Sequence, residues 1–456
     1  MKIFILTFSF LLLFTASATA TLPSSETLEN SWNYSSVDSA GAFGWLSMEL
    51  DIWDLPHLAY EKDDQIWYAH RNAGSWEWEK ERISLIGWRP CIALGPDQNP
   101  RIVNTQPGNM LAISTWNGSE WLVEEYSDFG RLMVGPVMAI SPDGTVHLAY
   151  YTMMNGFPYE LRYAVNDGEG WLRLELEYYG DNTAVTPMSI VLDSSGNPRV
   201  AGIEIYIDDS DMDQYFLNLY ERGDTPGAWE TNTIASFYCR GRPALAVAPG
   251  EISTLAYKWI DSEGSMRYHQ YPGTWSDVYS LGDYPSMAFD SQGRPHLAFD
   301  AGTSTMYATR QEQGAAWELT SLPYSVSYWG LELEIDQSDH PHIALNRWDE
   351  LAYVWWGDPT GIESEDQGTA EGLIQSFSPS PASETLSVSL NSLSSGRVDV
   401  RLVDITGRVM DSSVTELNGQ NSSSVCISLK DFPNGVYVIT AVQGSSSDRA
   451  TVTVLH

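Results

Sequence analysis

The sequence predicts an all-β chain: a seven-bladed β-propeller followed by a small C-terminal β-domain. Three observations predict it. A four-segment unit recurs from about residue 30 to residue 356. A tryptophan marks its fourth segment at Trp32, Trp76, Trp121, Trp171, Trp229, Trp275 and Trp317, at spacings of 44, 45, 50, 58, 46 and 42 residues. The segments are four to six residues long, alternate in polarity and are divided by Gly, Pro, Asp and Asn, which is the pattern of short antiparallel strands. Four such strands at a period in the forties read as propeller blades.

The clearest copy runs Pro285-Ser-Met-Ala-Phe-Asp290, Pro295-His-Leu-Ala-Phe299, Met306-Tyr-Ala-Thr309 and Gly314-Ala-Ala-Trp317. Its second segment returns as Pro56-His-Leu-Ala-Tyr60, Val146-His-Leu-Ala-Tyr150 and Pro341-His-Ile-Ala-Leu345. In the first segment, Ile92/Leu94, Met138/Ile140, Leu245/Val247 and Met287/Phe289 flank Ala93, Ala139, Ala246 and Ala288. Small residues suit the crowded ring axis, and large ones fill the gap to the next blade. Seven first strands begin near Leu46, Pro90, Pro136, Pro187, Pro243, Pro285 and Leu331. The tryptophans are out of phase with them: Trp32 precedes the first complete blade, and the last unit stops at Trp356 without a fourth strand. The strand around Trp32 is therefore expected to complete the last blade and close the ring.

Composition narrows the partners. The 456 residues carry 24 basic and 60 acidic side chains, a net charge of -36. Such a surface repels nucleic acid and anionic membranes and suits an extracellular protein, expected to be a monomer. Residues 1–20 read as a signal peptide: Lys2, a twelve-residue apolar run from Ile3 to Phe14, and Ala18-Thr-Ala20 before the cut. That run is short for a membrane span, and no later stretch approaches one, so no transmembrane segment is expected in the mature protein. The chain thus divides into a signal peptide (1–20), the propeller (21–356), an acidic linker (357–372) and a C-terminal β-domain (373–456). Cys91, Cys239 and Cys426 are sparse and lack metal-ligand spacing, and read as small buried hydrophobes.

In a propeller, the loops from strand four to the next strand one share a face around the channel with those from strand two to strand three. On this face the candidate ligand-binding residues are Arg89, Arg131, Arg240 and Arg242 among the rings of Trp88, Tyr126, Tyr179, Tyr238 and Trp329. Guanidinium groups clamp carboxylates, and aromatic faces stack on sugars, which points to an extracellular glycan, acidic sugars included, or to a protein. The other reading of the same residues is that the rings cap gaps between blades while the arginines pair with the abundant acids. His57, His147, His296 and His342 share one repeat position but belong to different blades, so they read as ties to a neighbouring hairpin turn and not as metal ligands. Asp209-x-Asp211-x-Asp213 departs from a calcium loop, with Gln214 for the glycine and Tyr220 for the glutamate. No metal, cofactor or catalytic residue is assigned, and a binding module is preferred to a glycoside hydrolase or polysaccharide lyase.

Two resemblances add to this. Asn166-Asp-Gly-Glu-Gly-Trp171 resembles a worn form of the Ser-x-Asp-x-Gly-x-Thr-Trp turn of BNR/sialidase-like propellers, a distant superfamily likeness. Ser378-Pro-Ser-Pro-Ala382, Asp404-Ile-Thr-Gly-Arg408 and Gly435-Val-Tyr437 make roughly the last 80 residues similar to the type A sorting domain of type IX secretion. That resemblance implies an Ig-like β-sandwich, the type IX secretion machinery as a partner, and a secreted or cell-surface protein. A reporter fused to residues 373–456 should then reach the surface of a host with type IX secretion; reporter retained in the periplasm would overturn the assignment.

Overall fold

The computed structural model describes residues 32–357, except 73–76, 129–130, 155–156, 179–182, 186–187, 207–213, 224–227, 237–238, 260–263, 325–329 and 348. It also describes residues 374–454, except 379–384, 391–394, 405–408, 419–422, 431, 433–434 and 444–445. The expected signal peptide, linker residues 358–372 and the Asp209–Asp213 loop lie outside the described residues.

Seven antiparallel sheets form the ring: blade 1 (residues 43–84), blade 2 (88–127), blade 3 (132–178), blade 4 (183–236), blade 5 (239–279), blade 6 (283–322) and blade 7 (331–356). Blade 7 takes Trp32–Ser39 as its outer strand, antiparallel to Glu350–Trp356, with Trp32 opposite Trp356. Each innermost strand packs against that of the next blade, and the innermost strand of blade 7 packs against that of blade 1. Among the described residues no helix is long and apolar enough to cross a membrane.

Alternation along the inner strands sorts the side chains. Met48, Ile92, Met138, Leu245, Met287 and Leu333 are buried between blades. Residues of the opposite parity turn to the other face of the sheet, where the expected alanines stand in blades 2, 3, 5 and 6; Ala93 and Ala246 pack there against the next blade. Blades 1 and 7 instead place Glu49 and Glu334 at that position.

Neighbouring blades are joined by an edge-on Tyr–Trp contact. Tyr68 meets Trp121, Tyr163 meets Trp229, Tyr268 meets Trp317, Tyr307 meets Trp32 and Tyr353 meets Trp78, with ring centroids 5.0–5.3 Å apart. Each such pair contributes about 0.5–1.5 kcal/mol beyond its buried area. An arginine of the tryptophan's own blade lies over the ring in three cases: Arg71 on Trp78, Arg222 on Trp229 and Arg310 on Trp317. In blade 1 the anchor is Trp78; the expected anchor, Trp76, lies outside the described residues.

The histidines fix these tyrosines. Nδ1 of His57, His147 and His296 lies 2.6, 2.6 and 2.5 Å from the hydroxyls of Tyr68, Tyr163 and Tyr307, and His342 pairs likewise with Tyr353. In blades 1, 6 and 7 the other ring nitrogen meets Asp51, Asp290 or Asp336 at 3.1–3.4 Å. The second oxygen of each aspartate accepts two backbone N–H bonds of the hairpin turn between strands one and two. Turn, second strand, third strand and next blade are thereby linked in one chain of contacts.

Closure has its own fastenings. Trp32 is 2% exposed and stands edge-on to both Tyr307 and Trp356. Asp38 accepts from Tyr60, Lys62 and Lys80 of blade 1 at 2.9–3.2 Å. Trp78 donates its indole N–H to Ser35.

The C-terminal domain is a β-sandwich. One sheet is ordered Ile374–Ser378, Thr385–Leu390, Ser423–Ser428; the other is ordered Val409–Asn418, Ser395–Asp404, Gly435–Gln443, Ser446–Val454. Leu386, Val388, Val400, Leu402, Ile427 and Ile439 meet in its core from both sheets. Cys426 corrects the expectation of a buried thiol: Val425 and Ile427 point inward, so the residue between them is exposed.

Replacing Trp32 by alanine should cost about 3–5 kcal/mol, read as a lower melting temperature, and deletion of residues 21–40 should cost at least as much. Parent-like melting of either variant would overturn the closure. The histidines predict a pH effect. Burial, with Arg222 nearby, pulls His147 from 6.5 to about 4. The folded chain keeps that ring neutral while the unfolded chain protonates it, so stability falls as the pH drops from 6.5 toward 4. His147→Gln should flatten the dependence of unfolding free energy on pH across that window; an unchanged slope counts against the assignment.

Candidate functional site at the channel mouth

The inner strands enter the ring through a kink. Their register shifts between Phe43 and Leu46, Trp88 and Cys91, Val134 and Val137, Arg240 and Ala244, and Asp283 and Ser286. Four of these shifts enclose a proline, which has no N–H for the ladder and is tolerated at a bulge. A bulge also re-aims the side chains beside it. Arg89, Gly135 and Tyr284, each just before such a proline, have φ of 54°, 61° and 48°. Blade 3 meets this left-handed backbone with glycine, whereas blade 2 holds an arginine there at a cost of about 1–3 kcal/mol.

The bulges bring Trp45, Arg89, Gly135 and Arg242 to one small cavity open to solvent, which also includes Cys91 and Glu332. The Arg89 guanidinium lies 5.1 Å above the Trp45 ring. Gly135 lies beside it, and a Cβ there would stand in ordinary contact with Arg89 Nη1, at 3.4 Å. The Arg89 backbone N–H donates to Glu61 at 3.3 Å, but among the described residues its guanidinium forms no ion pair. Burial pulls that guanidinium below its ordinary value, and the charge of Glu61 only partly offsets the effect.

Arg242 has the opposite setting. It is ion-paired with Glu332, so the pair links blade 5 to blade 7 past blade 6. Ser286 of blade 6 donates to the same carboxylate at 3.1 Å and accepts the backbone N–H of Leu333 at 3.0 Å. Burial works against the Arg242 charge, but Glu332 outweighs it and the value rises. Further along the same strands, Glu49 and Glu334 are raised by burial and by neighbouring carboxylates, chiefly Glu332 for Glu49 and Glu49 for Glu334. The Cys91 thiol is pushed up to about 11 by burial, and its sulfur accepts the N–H of Met138 at 3.3 Å.

Of the nine candidates, Arg89 and Arg242 line this cavity. Arg131 is paired with Glu160, which also holds Arg162. Trp88 is half-buried and donates to Asp64 at 3.0 Å. Tyr126 is an interior residue and not a stacking platform: it is 2% exposed, its hydroxyl lies 2.9 Å from that of Tyr150, and its ring packs on Trp171. Tyr179, Tyr238, Trp329 and the Arg240 side chain lie outside the described residues. Glu332, Glu49 and Glu334 were not among the candidates. The signal for Glu49 and Glu334 was in the aligned first strands, where blades 1 and 7 carry glutamate against alanine in four other blades; Glu332 is the one acid at its own repeat position.

Residues 376–454 match the family described as the secretion system C-terminal sorting domain. No curated protein matches the chain. Several solved structures do. An ulvan lyase of polysaccharide lyase family PL25, bound to -[GlcA(1-4)Rha3S]-, is 9% identical with a TM-score of 0.51, covering 71% of this chain and 95% of the lyase. YCF48 bound to D1 peptide is 14% identical with a TM-score of 0.48, covering 74% and 99%. PorZ of Porphyromonas gingivalis is 12% identical with a TM-score of 0.40, covering 94% of this chain and 59% of that one. The likeness to the lyase is one of fold. The sorting domain makes this a protein handled by type IX secretion and attached at the cell surface.

Proposed function

We infer that this exported propeller is a binding module that receives an acidic glycan at the mouth of its channel. Arg89 carries the reading. It is a cation in a chain of net charge -36, held on a strained bulge, laid over an indole and lining a cavity without a carboxylate partner among the described residues. Backbone strain of this kind is maintained where the surroundings impose it, and functional sites are where it concentrates. A guanidinium forks onto a carboxylate, and the local positive charge gives an anionic sugar a favourable approach to an otherwise acidic molecule.

An enzymatic reading, hydrolase or lyase, rests on Glu49 and Glu334. Carboxyls raised by burial are the form in which a general acid works.

A glycan array with the purified protein tests the reading, and incubation with the bound glycans, read for released product, separates binding from turnover. Arg89→Gly should weaken binding about tenfold or more, for a lost charged hydrogen bond of about 1.5–3 kcal/mol. Its melting temperature should not fall, because glycine relieves the left-handed backbone. Unchanged affinity in this variant, or a parent that retains no acidic glycan, would sink the proposal.

A further inference from the structure

We propose that Glu332 is an internal stand-in for the ligand: its carboxylate occupies Arg242 until the carboxylate of a uronate sugar displaces it. This rests on the acidic-glycan reading and specifies how the second arginine of the cavity takes part. The Arg242–Glu332 pair lies in the same cavity as Arg89 and is, among the described residues, the ion pair that passes over an intervening blade. Blade packing does not call for a carboxylate there. At the equivalent position the other inner strands carry Ser47, Cys91, Val137, Ser189, Ala244 and Ser286. Ser47, Cys91 and Ser286 serve at this position to accept a backbone N–H from the next blade. Glu332 reaches instead to Arg242 and takes one further bond from Ser286. A uronate offers a carboxylate of the same kind, one oxygen for Arg242 and one for Ser286.

Exchange has a consequence for protons. Once displaced, Glu332 keeps its place between blades but loses its cation. The groups around it are Glu334 on its own strand, Glu49 of blade 1, the Cys91 thiol of blade 2, Ser286 of blade 6, and Arg89 at the mouth. Glu49 and Glu334 already resist ionisation there. An additional unpaired charge beside them is relieved by a proton taken up within this carboxyl cluster. Binding therefore takes up a proton, and affinity falls as the pH rises.

Calorimetric titration of the full chain with trigalacturonate, in two buffers of different ionisation enthalpy, reads this directly. The expected result is uptake of about one proton per ligand bound. E332Q should bind several-fold more tightly and take up none. Parent binding without proton uptake overturns the exchange while leaving the acidic-glycan reading standing, as does an E332Q protein that folds and binds no more tightly. If E332Q does not fold, the parent in the two buffers still decides. Failure of both proteins to bind trigalacturonate overturns this assignment, and the wider reading falls only if the array also shows no acidic glycan.

Discussion

A ring of sheets is stable as a ring only if its two ends meet, and here they meet through eight residues. Trp32–Ser39 pairs with Glu350–Trp356 and turns an unfinished three-stranded blade into a complete one. Trp32 also enters the series of Tyr–Trp contacts that join successive blades, filling the place that other blades fill from their own fourth strands. Without it, blade 7 would expose a strand edge and Tyr307 would lose the ring it packs against. The channel mouth depends on this closure. Glu332 stands on the innermost strand of the blade so completed, and the cavity it lines also takes Trp45 from blade 1 and Arg89 from blade 2, on the far side of the seam.

The repeat made the architecture legible. Spacing, turn residues and the phase of the tryptophans sufficed for the blade number and for the closing strand. What the repeat could not show was which tryptophan anchors blade 1, because Trp76 and Trp78 are two residues apart and share a strand parity. Cys426 was misread for a related reason: cysteine is usually buried, but the alternation of Val425 and Ile427 decides its side.

The candidate site was legible in part. Loop position led to Arg89 and Arg242, and the structure brings both to one cavity. The same reasoning included Tyr126, because proximity to a loop does not show which way a ring turns; its hydroxyl is tied to Tyr150 inside the blade. The acids were missed because attention went to loops, while Glu49, Glu332 and Glu334 stand on strands. Comparing blades position by position would have exposed them, since Glu49 and Glu334 stand where four blades have alanine, and Glu332 stands where the other blades carry serine, cysteine, valine or alanine.

The closing strand also sets an order of events. It precedes every blade in the chain, yet its partner is the last strand of the ring, and Asn33 and Gly357, which bond across the seam, are 324 residues apart. Each doubling of such a loop costs only about 0.6 kcal/mol, so the equilibrium tolerates the separation well. The kinetics tolerate it less, because contacts of such high sequence separation form late and slow the search. A strand made before every blade must remain unpaired, with Trp32 unburied, until the entire propeller has been made. Pairing Trp32–Ser39 with another copy's seventh blade would satisfy the same hydrogen bonds, which makes strand exchange between molecules the misfolding route this topology must avoid.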